Sequence, residues 1–169
     1  MLTSAERQSQ IQMALADAKA PITATAFAKK FGVSRQTVVG DVALLRAQGT
    51  KLIATPRGYQ FEDSATKTAV IVCKHTPEDA VKEMQIIIDH GGVVKDVMID
   101  HPVYGQLRGS LEVASEQEIH LFHSKMLQHE SHMLSELTDG VHLHTIGYEK
   151  PEQITEIKQA LRDAGFLYE

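Results

Sequence analysis

The sequence predicts an α+β protein in two parts: an N-terminal winged helix-turn-helix unit, residues 1–62, and a C-terminal α/β sandwich with a mostly antiparallel sheet, residues 68–169. Three observations predict it. Three short helical patterns and a hairpin signal crowd into the first part. A β-α-β-β-α-β-α succession fills the second. The formal charge of −5 is also unevenly divided, with eight Lys/Arg against four acids in residues 1–62 and nine against eighteen beyond. A small basic module joined to an acidic one suggests two jobs, the first facing a polyanion.

In residues 4–18, Ile11, Ala14, Leu15 and Ala18 recur at helical spacing, with Ser4 as N-cap and Pro21 closing the helix. TATAFAKKFG is a second short helix, ended by Gly32. A third starts with Ser34 as N-cap, carries Val38, Val42 and Leu45 on one face and stops at Gly49. KLIATPRGYQFE reads as two short strands around a Thr-Pro-Arg-Gly turn. Three helices followed by such a hairpin is the winged helix-turn-helix layout. EDSATKT is small, polar and aperiodic, and is the expected linker.

Beyond it, TAVIVCK is a continuous β-prone run, expected as a buried strand. Thr76-Pro77 opens a helix, threonine as cap and proline at its first position, which runs to His90 before Gly91-Gly92. VVKDVMID and GQLRGSLEVA alternate and are joined by HPVY as a hairpin. SEQEIHLFHSKMLQ is amphipathic through Ile119, Phe122 and Met126, VHLHTIG is a strand, and EQITEIKQALRDAG is a last helix. Segregated helices over such strands make an α+β sandwich.

Composition excludes several classes. No apolar run approaches the roughly 20 residues of a membrane helix. MLTSAERQSQ lacks a basic leader and an apolar core, so no signal peptide is expected. The single cysteine, Cys73, excludes an intramolecular disulfide framework and fits a reducing, cytoplasmic setting.

The stretch VSRQTVVGDVALLRAQG carries the nucleic-acid signal. The second helix of a helix-turn-helix presents its N-terminal residues to base edges in the major groove. Here those residues are Ser34, Arg35, Gln36 and Thr37. Arginine pairs bidentately with guanine and glutamine with adenine, while Ser and Thr reach phosphates or bases. Lys51 and Arg57 sit where a wing meets the backbone or minor groove. A capped, solvated surface helix is the alternative for the four residues taken alone.

Nine histidines is a high count for 169 residues. His120, His123, His129 and His132 are paired at i, i+3, but His120 and His123 lie off the Ile119–Phe122–Met126 stripe and no acidic or cysteine partner stands at a comparable inward position, which favours a polar helix face running into a loop. His90 is a helix C-terminal residue facing the dipole. GVHLHTIGYEK is different, because i and i+2 on a strand share a face roughly 6.5–7 Å apart and two imidazoles can converge on one ion. Leu143 and Ile146 are expected to point the other way. His75 ends the first strand of the second part, and Glu83 borders the apolar stripe of its helix, where a carboxylate is costly unless a cation or donor meets it. Three nitrogens and one oxygen suit Zn²⁺, Fe²⁺, Ni²⁺ or Mn²⁺. Spacing alone leaves open whether residues 75 and 142 meet, and a polar face on an edge strand remains the other reading.

Two resemblances bear on these choices. VSRQTVVGDVALLRAQG followed by IATPRGYQF resembles the biotin-repressor-type winged helix of niacin-responsive transcriptional repressors. Gly40 departs from that pattern inside the recognition helix, where glycine costs about 0.5–1 kcal/mol relative to alanine. KHTPEDAVKE, IDHPVYGQLRG and DGVHLHTIG resemble the successive motifs of the three-histidine (3H) regulatory domain, which follows the winged helix in those repressors. The resemblance implies metal ligands at His75, Glu83, His142 and His144, holding one divalent transition metal ion. It places the remaining motif histidine at His101, implying a role in shaping the ligand pocket; a hairpin-turn histidine packed on Pro102 is the alternative. It further implies a repressor that binds double-stranded operator DNA with nicotinic acid as co-repressor, controlling genes for NAD biosynthesis or niacin uptake. Tyr104 or Arg108 is then expected to engage the rest of the effector, and a homodimer is expected from the class of DNA reader. The rival readings are a regulator answering to the metal alone and, further off, a metalloenzyme fused to a DNA module.

Overall fold

The computed structural model describes residues 1–63 and 65–169. The chain divides into two compact units, Met1–Ser64 and Ala65–Glu169. The expected linker, 62–68, includes position 64, which lies outside the described residues.

The first unit comprises α1 (Ser4–Asp17), α2 (Ala24–Phe31), α3 (Arg35–Ala47), β1 (Leu52–Thr55) and β2 (Gly58–Phe61). The cap of α1 is Thr3 rather than Ser4. The Glu6 amide donates to Thr3 Oγ1 at 3.2 Å, and the Thr3 amide donates to Glu6 Oε2 at 2.7 Å, a reciprocal capping box. Ser4 is thereby free to donate to Asp41 Oδ1 of α3 at 2.6 Å. Gly32, at φ 67°, ends α2 in the left-handed conformation. Ile11, Leu15, Phe27, Val38, Val42 and Leu45 bury their side chains together with Leu52 and Tyr59 of the wing. The hairpin is tied back to the α1–α2 connection by a backbone pair, Tyr59 N to Ile22 O at 2.8 Å and Ile22 N to Tyr59 O at 3.1 Å. That close approach requires glycine at position 58, where φ is +129° and a Cβ would lie 2.5 Å from the Ile22 carbonyl carbon.

The second unit comprises β3 (Lys67–Lys74), a 3₁₀ turn (Pro77–Asp79), α4 (Ala80–Asp89), β4 (Val93–His101), β5 (Gly105–Val113), α5 (Glu116–Gln128), a 3₁₀ turn (Leu134–Thr138), β6 (Val141–Tyr148) and α6 (Pro151–Asp163). The sheet order is β3-β6-β4-β5 and every pairing is antiparallel. Ile71, Val94 and Ile146 of the sheet pack against Met84 and Ile87 of α4, Ile119 of α5 and Ile157 and Leu161 of α6.

Three local expectations are corrected. β3 is buried on one face only: Ile71 and Cys73 point to the helices, while Val70 is 53% exposed. Thr76 makes no side-chain cap bond, and Pro77 starts a 3₁₀ turn before α4 proper begins at Ala80. Ile146 shares the inner face with His142 and His144, because β6 pairs Ile146, His144 and His142 with Ala69, Ile71 and Cys73 in alternation. The outer edge of β3 is covered by the chain end, through Lys74 N to Phe166 O at 2.8 Å and Tyr168 N to Val72 O at 2.9 Å.

Candidate metal centre

Antiparallel pairing of β3 with β6 brings the end of β3 beside the start of β6, and α4 lays its buried stripe across both. His75 follows β3, His142 and His144 lie on the inner face of β6, and Glu83 projects from α4 into the gap between them. The carboxylate meets all three rings. His75 Nε2 lies 2.6 Å and His142 Nε2 2.8 Å from Glu83 Oε2, and His144 Nε2 lies 2.7 Å from Oε1. Glu83, His142 and His144 are each at most 2% exposed.

The far side of each ring is fixed as well. The Nδ1–H of His75 donates to Thr76 O at 2.7 Å, that of His142 to Gly140 O at 2.9 Å, and that of His144 to Asp96 O at 2.6 Å. Carbonyls only accept, so Nδ1 carries the proton in each neutral ring and the lone pair stands on Nε2. Each Nε2 therefore faces a carboxylate oxygen that is also an acceptor. Such a contact is repulsive unless a proton or a metal cation lies between the two atoms. Three imidazolium ions around one buried carboxylate would leave excess charge away from water, at high cost. Three neutral imidazoles and a carboxylate, each ring held by a carbonyl from behind, match the donor chemistry of a divalent transition metal site.

The electrostatics are those of a coupled cluster. Burial pushes the Glu83 carboxyl up, but the charge of His144 and the hydrogen bonds from His142, His144 and His75 outweigh it and hold it well below the usual carboxylate range. Burial pushes His144 and His75 down, and the hydrogen bond and charge of Glu83 outweigh it, leaving both above the ordinary imidazole value.

A cavity of about 180 Å³ opens beside the cluster. The histidines and Glu83 form its polar end. Val97, Gly109 and Leu111 of the sheet, Met84 of α4 and Phe122 and Met126 of α5 form an apolar body. Met133 and Leu134, just after α5, close it, with His132 exposed at the rim.

The residues expected around an effector lie elsewhere. None of His101, Tyr104 and Arg108 lines this cavity among the described residues. His101 Nδ1 accepts from the amides of Val103 at 3.1 Å and Tyr104 at 3.2 Å, and its ring lies tilted against Tyr104 with centroids 5.1 Å apart, so it braces the β4–β5 turn. Arg108 alternates with cavity-lining Gly109, pointing to the opposite face, and donates to Asp96 Oδ2 at 2.8 Å.

Sequence reasoning missed two contributors. Cys73, across from His142 in the sheet, has its Sγ within 4.8 Å of both the Glu83 carboxylate and a His142 ring nitrogen. Burial and the adjacent Glu83 charge push its thiol up. Asp96 supplies the carbonyl behind His144 and accepts the Thr145 amide at 2.8 Å. The β3–β6 register finds Cys73 once His142 is placed; a bulge in β4 hides Asp96 from any alternation rule.

In the first unit, Ser34 Oγ accepts from the Thr37 amide at 3.1 Å and shares a 2.8 Å hydrogen bond with its hydroxyl. Arg35 and Gln36 follow the cap and are exposed, and Lys51 is exposed at the start of the wing. Arg57 occupies the hairpin turn and is partly buried. Gly40 is exposed, with open space where a side chain would stand.

A winged helix-turn-helix unit joined to an α+β unit with a buried histidine–glutamate cluster is the arrangement of a DNA-binding transcription regulator. The HTH domain family matches residues 7–60 and the 3H domain family residues 68–169. The chain is 41% identical over 171 residues to the transcription repressor NadR of Bacillus subtilis, covering 98% of this chain and 95% of that protein. It is 38% identical over 165 residues to a probable transcription repressor NiaR of Thermotoga maritima, covering 97% and 94%. The chain belongs to this family of transcription repressors, and it is a regulator rather than an enzyme. Among the described residues no helix is long and apolar enough to cross a membrane.

Proposed function

We propose that this chain represses genes of NAD biosynthesis or niacin uptake, binding operator DNA as a homodimer with nicotinic acid as co-repressor at a metal site. The observation that carries this reading is the set of three histidines pinned at Nδ1 by carbonyls with Nε2 turned onto Glu83. His75, Glu83, His142 and His144 would hold the ion. A bound divalent ion (Zn, Ni, Fe or Mn) would supply a Lewis-acidic contact for the carboxylate or ring nitrogen of the effector.

The chain's own residues do the rest. The three carbonyls fix ring orientation before any ligand arrives. The apolar walls from Met84, Phe122, Met126 and Leu134 accept a flat ring and exclude water from it. Arg35 and Gln36 read base edges, Ser34 and Thr37 hold phosphates or bases, and Lys51 and Arg57 contact the backbone from the wing. A dimer reads two half-sites about one helical turn apart. The effector acts by binding the DNA-competent arrangement more tightly than the incompetent one.

An operator gel shift with and without nicotinic acid, repeated after chelation, tests the reading. Nicotinic acid is expected to tighten the shift only in metal-loaded protein. A shift that follows metal dose and ignores nicotinic acid would instead make the ion itself the signal.

A further inference from the structure

Gly109 lies inside β5, and a glycine inside a strand weakens it and calls for a reason. The two usual reasons are absent. Its φ is outside the left-handed region, and a Cβ built on it would make only ordinary contacts, 3.6 Å to Val97 Cγ1 and 3.7 Å to Leu134 Cδ1. Other glycines of this unit do have such reasons. At Gly92 a Cβ would meet Ile157, Ile87 and Ile146 at 2.8, 2.9 and 3.1 Å, and at Gly140 φ is +90° with His75 O 2.6 Å away. What distinguishes Gly109 is its place on the cavity wall beside the histidine–glutamate cluster, between a sheet residue and the segment that closes the cavity.

We propose that Gly109 is the size-determining residue of the effector cavity, its missing side chain leaving the width between Val97 and Leu134 that a flat monocyclic acid needs. This rests on the effector reading above, and it assigns specificity to a cavity-wall residue that is not one of the four expected metal ligands. A methyl at this position fits the fold and takes its volume from the ligand. A branched side chain takes more, and β-branched residues suit a strand.

The test compares full-length metal-loaded wild type, Gly109→Ala and Gly109→Val by metal content, melting midpoint and calorimetric titration with nicotinic acid. Metal content is expected to be equal in all three, and the alanine variant to melt no lower than wild type. The nicotinic acid Kd is expected to rise about tenfold or more for alanine, since one methyl-sized change in a pocket has that effect. Valine is expected to abolish detectable binding. Binding by both variants within about twofold of wild type, well short of that tenfold rise, overturns the proposal. If valine prevents folding, the alanine variant decides. If wild type itself ignores nicotinic acid, the effector reading fails, and benzene then decides the Gly109 assignment. A benzene-dependent rise in melting midpoint that Gly109→Val loses upholds it, and an equal rise in both overturns it.

Discussion

Glu83 Oε1 and His144 Nε2 stand 2.7 Å apart although 61 positions separate them in the chain. The contact exists because α4 crosses the inner face of the sheet where β6 presents alternate side chains. His75 and His142 complete it on the other carboxylate oxygen. Removing the carboxylate takes one ligand from a bound cation and, without the ion, leaves the protons that Glu83 holds on His75 and His144 without their partner. Glu83→Ala is therefore expected to weaken metal binding by about 100-fold or more, read by competition with a chromophoric chelator. The metal-free chain is expected to lose about 3–5 kcal/mol in urea denaturation, the usual result of breaking a buried charged pair. Unchanged metal affinity would remove Glu83 from the site.

The pH dependence follows from the shifts in this cluster. His75 and His144 lie above their ordinary value when folded, so their contribution to metal-free stability is fully present below about pH 6.5 and is lost as pH rises through the raised values. Glu83 is depressed, so its contribution is present above about pH 4.3 and is lost as pH falls through the depressed value. A metal bound at the proposed site would compete with protons for the same nitrogens. The melting difference between metal-loaded and chelated protein should therefore widen from about pH 6 to about pH 9. A difference that narrows over that range contradicts the assignment.

Asp41 locks α3 to α1. Its carboxylate accepts from Arg7 Nε at 2.6 Å and from Ser4 Oγ at 2.6 Å while only 2% exposed. Burial raises it, and the bonds from Arg7 and Ser4 together with the Arg7 charge outweigh burial, so it sits below the ordinary carboxylate range. The contribution is present above about pH 4 and lost as pH falls through the depressed value. Asp41→Ala is expected to cost the N-terminal unit about 3 kcal/mol by denaturation, with part recovered when Arg7→Met is added. A cost near zero at neutral pH would make the pair a surface contact in solution.

At the DNA face, base-reading and phosphate-neutralising residues give different signatures. Arg35→Ala or Gln36→Ala is expected to cost about 1–3 kcal/mol on the operator and to relax preference at one base position. Lys51→Ala should weaken binding to all sequences alike and reduce the salt slope by about one. Equal losses on operator and random DNA for Arg35→Ala would move that residue to the phosphates.

Much of this was legible before the fold was known, for local reasons. The first unit follows from caps and breakers: Ser34, Gly32 and the Pro-Arg-Gly turn act within a few residues of themselves. Glu83 could be placed on an apolar stripe by counting, though not as deeply as its burial. The meeting of residues 75 and 142 was not legible from spacing, because it depends on which strands pair, and only the family resemblance supplied it. The cavity was less legible still. Met133 and Leu134 enter it from the start of a single 3₁₀ turn, too short to show a period, and Gly109 contributes by lacking a side chain. Arg108 is expected to engage the effector, and its alternation with Gly109 and Leu111 turns it to the face of the sheet away from this cavity.

In the proposed function the effector meets a metal held by His75, Glu83, His142 and His144. The most direct measurement is the visible spectrum of the Co²⁺-substituted full chain titrated with nicotinic acid. One Co²⁺ per chain is expected, with ligand-field bands that change saturably on adding nicotinic acid and loss of both in His142→Ala. Bands that stay unchanged while calorimetry records nicotinic acid binding would contradict it.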